Sequence, residues 1–211
     1  MSGTSVNGKM QKAFQRIGRK LGYKFKVYRS VDFLTPIQSK NYIGEQYVSF
    51  SLDTSFKASV GSSYKQFNLF LDTTSFALGD IFVSEEQDKT FVLVNKDPIV
   101  TPQAIETPHK ITISRPGYTT TGAFQTTLVE VAKDIPASIF EVGSAGQSAP
   151  VAEVKNGTAA HQYHIWVYLP QNNLKIDDVV VDQLGNRSRI VSIEYSSVGY
   201  KLTTKSAKVG G

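Results

Sequence analysis

Cysteine is absent from this 211-residue chain. That excludes disulfides, cysteine-bound zinc, iron–sulfur clusters and thiol nucleophiles together. It also fits a protein made in a cell's interior. No apolar run approaches the roughly 18–20 residues that span a bilayer, so no membrane partner is expected. The basic N-terminus lacks the apolar stretch of a secretory signal, and export by that route is not expected. Acid is missing from the first 31 residues, which hold eight basic side chains, leaving fifteen basic against eighteen acidic in the remainder. The net charge of +5 therefore belongs to an N-terminal arm and not to the body. Such asymmetry suits an arm that meets an acidic surface or a nucleic acid.

Catalytic patterns are missing too. No G-x-S-x-G, G-x-x-x-x-G-K-[ST] or G-x-G-x-x-G occurs. His161 and His164 have a helical ligand spacing, but they stand in a strand pattern, where residues three apart face opposite ways. Asp177 and Asp178 are adjacent and on a strand would diverge, so they do not make an acid–base pair. Asp178 reads as the start of a strand, Trp166 as packing, and His109 as an isolated residue after Pro108. The expectation is a protein with no enzymatic activity, no cofactor and no metal.

What is present is apolar residue content of 40% with 11% aromatics, enough for a folded core. Met10, Phe14, Ile17 and Leu21 recur at spacings of 4, 3 and 4, which predicts a helix over about 9–21. Lys9, Lys12, Arg16, Arg19 and Lys20 fan over a separate arc of it. With Lys24 they form the candidate partner- or DNA-facing surface. Gly18 reads as a local weakness of about 1 kcal/mol relative to alanine, and Gly22 as the stop. The same helix could instead cap its own domain.

From Tyr23 onward the period is 2. "YKFKVYRS" (23–30), "YVSFSLDTSF" (47–56), "QFNLFLD" (66–72), "DIFV" (80–83) and "TFVLV" (90–94) read as strands. "KITIS", "TTLVEVAKDI", "HIWVYL", "DDVVV", "SRIVSIEY" and "VGYKLTT" repeat the style. Val191, Ile193 and Tyr195 would share a face with Val198, Tyr200 and Leu202. A shift of 98 residues lays 67–83 over 165–181. Leu69 and Leu71 then meet Val167 and Leu169, Asp80 meets Asp178, Val83 meets Val181, and upstream Arg29 stands opposite Arg115. The fold expected is mainly β: two tandem small antiparallel barrels or sandwiches behind one basic amphipathic helix. The domains expected are an arm at 1–25, a first β unit at 26–108 and a second at 109–211. In the second, "GSAGQSAP" (143–150) reads as a mobile loop. Asn156 and Gly157 supply a hairpin turn, giving a projecting loop at 143–160 with Val151 and Val154 as its apolar contacts.

Residues 134–142 and 161–203 carry a family resemblance. Ile135, Pro136 and Ala137 end a strand before a variable loop, and His161 to Leu169 form a histidine–aromatic strand. Asp178, Val179, Val180, Gly185, Ile190 and Ile193 match a spaced D-V-V, glycine, isoleucine block. These stretches resemble the head–tail joining, or head-closure, proteins of tailed bacteriophages. The chain departs from them in its doubled length and its basic helix. The resemblance implies a virion neck component assembled in the host cytoplasm into a homo-oligomeric ring of six or twelve subunits. Its neighbours would be a portal or connector ring above and a tail tube, terminator or tail-completion protein below, with phage DNA in the channel. A different reading is an oligonucleotide- or polysaccharide-binding β module with a basic tail.

Overall fold

The computed structural model describes residues 3–31, 34–52, 66–97, 101–118, 124–142, 162–167, 173–196 and 199–206. Among the described residues one α-helix, α1 (Gly3–Leu21), precedes twelve strands, with a 3-10 turn at Ser39–Asn41. The first six are β1 (Tyr23–Tyr28), β2 (Tyr42–Leu52), β3 (Gln66–Phe70), β4 (Ile81–Ser84), β5 (Lys89–Asn95) and β6 (Gln103–Glu106). They close into an antiparallel barrel in the order β1-β2-β3-β6-β5-β4. The last six are β7 (His109–Tyr118), β8 (Phe124–Val142), β9 (Gln162–Val167), β10 (Val179–Asp182), β11 (Arg187–Ser196) and β12 (Gly199–Ser206). They close in the order β7-β8-β9-β12-β11-β10. Adding six to each strand number of the first barrel gives the second. The tandem β architecture expected from the sequence is present, with closed barrels as its form.

The chain divides into two compact units. Unit 1 holds Met1–Val31, Pro36–Lys57 and Tyr64–Pro108; unit 2 holds Asp32–Thr35, Ala58–Ser63 and His109–Gly211. Both α1 and Tyr23–Phe25, assigned above to the arm, lie in unit 1, and Tyr23 opens β1. Alternation in "YKFKVY" places Phe25 and Val27 inside, fully buried, and Lys24 and Lys26 outside. His109 opens β7 and pairs with Ala137. Strand extends beyond the sequence reading at Tyr42–Gln46 in β2, over the whole of β6, and in β8, which continues to Val142 and does not end at Ile135–Ala137.

Each barrel has its own filling. Unit 1 is aromatic: Phe25, Phe67, Phe82 and Phe91 pack with Val27, Val48, Leu69, Leu71, Leu93 and Ala104. At one end Phe50, Phe67 and Phe91 crowd within 5.1–5.9 Å of one another, and the Lys89 ammonium lies 5.5–5.9 Å from all three rings. Among the described residues the core of unit 2 is mostly aliphatic, built on Ile111, Ile113, Ile135, Leu174, Val180, Ile190 and Leu202 with Tyr200. Ile193 pairs with Leu202 and Tyr195 with Tyr200, as the meander reading expected.

Unit 2 also differs by an extension. β1 ends at Tyr28, but β7 continues past Ser114, its last pairing with β10, and runs on with β8 through Arg115–Val129 to Tyr118–Phe124. A bulge at Lys133 and Asp134, where Asp134 takes φ of 53°, breaks the β7–β8 ladder. The freed Lys133 carbonyl accepts from the Thr35 N–H at 3.0 Å, and Leu34 bridges Lys133 in parallel. The loop expected at 143–160, with Val151, Val154, Asn156 and Gly157, lies outside the described residues, as do His161 and Leu169.

Candidate interaction surface

The polar residues that the repeat brings into register make one motif twice. In unit 1 the Arg29 Nε–H donates to Asp80 Oδ1 at 2.8 Å and Nη2 donates to Oδ2 at 2.6 Å. In unit 2 Arg115 meets Asp178 in the same two-pronged way, at 2.8 and 2.9 Å. Both carboxylates are 1% exposed. Each also accepts the backbone N–H three residues earlier, from Ala77 at 2.7 Å and from Lys175 at 2.8 Å. The second arginine nitrogen closes the motif on a main-chain carbonyl, that of Ser75 or of Asn173. The residue before each aspartate is left-handed, Gly79 at φ 84° and Asp177 at φ 74°. Aspartate tolerates that conformation better than most side chains. The clasp ties the residue just past the first strand's last pairing with the fourth, Arg29 after Tyr28 and Arg115 after Ser114, to the turn entering that fourth strand.

Strand registers refine the sequence alignment. Arg29 matches Arg115 and Asp80 matches Asp178, as the shift of 98 placed the aspartates. In β3, however, Phe67 opposes Ala104 while in β9 Tyr163 opposes Thr204, and the two ladders bulge at the same point, after Leu93 and after Ile190. Phe67 therefore corresponds to Tyr163 and Leu71 to Val167, two residues away from the ungapped match. A slip of two keeps every side chain on its face, so periodicity alone does not expose it. Of the proposed core repeat, Leu69 and Leu71 are buried, Asp80 and Asp178 form the clasps, and Val83 and Val181 are half-buried in β4 and β10. The backbone of Val167 pairs with Ala137 and Tyr200.

The basic surface is carried by α1, which lies against β2 and β3. The helix seats on Gly18, where an added Cβ would stand 2.6 Å from the Phe70 carbonyl oxygen and 2.7 Å from that of Tyr47. Phe14 meets Phe70 edge-on at 5.9 Å, and Gln11 Oε1 accepts from the Thr73 N–H at 3.2 Å. Gly22 donates to the Gly18 carbonyl at 2.8 Å and ends the helix. The seat is thus rotated from the apolar stripe: Met10 and Ile17 are half-buried and Leu21 is 73% exposed. The reading of Gly18 as a mere weakness is corrected, because closeness to two carbonyls demands a residue without a Cβ.

Lys9, Lys12, Arg16, Arg19 and Lys20 are all exposed, and none forms an ion pair with a described residue. Lys24 differs. It is on β1, 2.6 Å from Glu45, just as Lys26 is 2.6 Å from Glu85. Their carboxylate hydrogen bonds raise both ammonium pKa values, and Lys26 lowers that of Glu85. Beside the helix a shallow groove is lined by Gln11, Lys12, Asp72, Thr73, Thr74 and Lys96. Among the described residues no group of three His, Asp or Glu converges to hold a metal ion. No described helix is long and apolar enough to cross a membrane. Compared with family models, with curated proteins and with solved structures, the chain finds no match.

Proposed function

We propose that this chain is a structural component of the neck of a tailed phage, assembling with copies of itself into a ring that joins the DNA-filled head to the tail. The observation that carries the reading is the doubled barrel: two closed six-stranded units of one topology, each with the same arginine clasp on a buried aspartate. Closed barrels suit the subunit of a ring, where stability and side-chain complementarity between copies matter more than a reactive cleft. The residues of the resemblance fall at the framework of unit 2. Ile135–Ala137 pair with His109–Ile111, Asp178 anchors the clasp, Val179 and Val180 form β10, and Gly185 takes φ of 83° in the β10–β11 turn. The extended β7–β8 hairpin offers a contact toward a neighbour in the neck. On this reading the portal or connector ring lies above and tail-completion components below.

Negative-stain imaging of the purified chain, alone and mixed with portal rings, tests the proposal. Ring particles with a central channel are the expected result. Dispersed monomers under both conditions would count against it, and a gene neighbourhood without capsid and tail genes would do the same.

A further inference from the structure

We infer that the outward face of α1 binds the phosphate backbone of duplex DNA without regard to sequence. The inference deepens the neck reading by naming the surface that meets the DNA.

The face is defined by rotation. At about 100° per residue, Lys9, Lys12, Arg16, Arg19 and Lys20 occupy an arc of about 100°, roughly opposite the seat made by Gln11, Phe14 and Gly18. The barrel therefore holds the helix with its cations outward. They stretch over about 16 Å of helix axis, a length over which one DNA strand carries about five phosphates.

The array works against the isolated helix. Lys9 and Lys12, Lys12 and Arg16, Arg16 and Arg19, and Arg16 and Lys20 are like-charged neighbours three or four apart, and the first turn has no acid. Only Arg19 and Lys20, in the last turn, gain from the helix dipole. Four cations elsewhere in unit 1 have carboxylates of their own: Lys24 has Glu45, Lys26 has Glu85, Lys89 has Glu106 and Arg29 has Asp80. Cations kept side by side and unpaired on one rigid face are matched by anions from outside. Between them the arc offers no aromatic ring for stacking on bases and no apolar anchor of the kind that centres a protein interface. That favours a phosphate backbone over an acidic protein.

The test is fluorescence anisotropy of the full-length chain with labelled 30-base-pair duplexes of two unrelated sequences, from 50 to 200 mM NaCl. Five phosphate contacts predict a slope of log K against log salt of about −4.5, a loss on the order of 500-fold across that range. The two sequences should bind within about twofold of each other. Lys12→Gln with Arg16→Gln should flatten the slope by about 1.8, whereas Lys24→Gln with Lys26→Gln should leave it unchanged. Glutamine keeps helix propensity, and removing like-charge neighbours should leave the melting temperature level or raise it. An unchanged slope in the Lys12/Arg16 variant overturns the inference. So does retention on poly-glutamate with no duplex binding at 50 mM salt, which would assign the face to an acidic protein. Rings that form without binding DNA defeat this inference alone; monomers that bind DNA as described defeat the ring alone.

Discussion

At the scale of single residues, the clasp and Tyr200 make the sharpest claims. Asp178 is nearly inaccessible, so Arg115→Met leaves a buried carboxylate without its counter-charge, held by the Lys175 N–H. A fully buried pair loses about 3–5 kcal/mol in such a change; the 30% exposure of Arg115 brings the expected cost to about 2–3 kcal/mol. Adding Asp178→Leu should recover part of that, read from denaturant midpoints; costs that merely add would show two uncoupled side chains. Tyr200 is 2% exposed, and burial, with a smaller contribution from Tyr195, raises its pKa. A raised value in the folded state favours the fold while the phenol stays neutral. That contribution is whole below the unfolded value of about 10 and is lost as pH climbs through the folded one. Between pH 9 and 11 the melting temperature of Tyr200→Phe should fall less steeply than that of the parent. Parallel curves would remove Tyr200 from the alkaline transition. Both halves of each clasp were visible in the sequence as repeated positions, Arg29 with Arg115 and Asp80 with Asp178. Their pairing was not, because 51 or 63 residues separate the partners and barrel closure brings them together.

Among the elements, α1 separates local preference from packing. Helix propensity alone says that Gly18→Ala should stabilise by about 1 kcal/mol. The two carbonyl oxygens under 3 Å from the new methyl say the reverse, a loss of about 1–3 kcal/mol as the helix lifts from β2 and β3. Thermal denaturation decides on sign alone, and a stabilised variant would mean the seat is looser than described. The sequence identified the helix and its end at Leu21, placed its start six residues after Gly3, and misjudged its seat, since a wheel ranks side chains and Gly18 has none. Strand reading failed where alternation was weak. "YIGEQ" is interrupted by Gly44, at φ 144°, and "QAIE" has four residues, too few to establish a period.

The whole molecule contains two closed barrels, each with a core of its own: among the described residues one core is rich in phenylalanine and the other holds mostly aliphatic side chains. Two cores predict two cooperative units, so the calorimetric enthalpy of unfolding should exceed the van't Hoff value. Phe82→Ala and Ile113→Ala should then each lower a different transition, by about 3–5 and 2–5 kcal/mol respectively. A single transition shifted equally by both would show one cooperative block. That doubling was legible because Asp80 and Asp178 introduce like strands in both halves, while the matched strand order needed the ladders themselves. Duplication inside one chain also fixes a stoichiometry. Any closed assembly of this protein holds twice as many barrels as polypeptides, of two kinds in equal number: one kind bears the helix, the other the long hairpin.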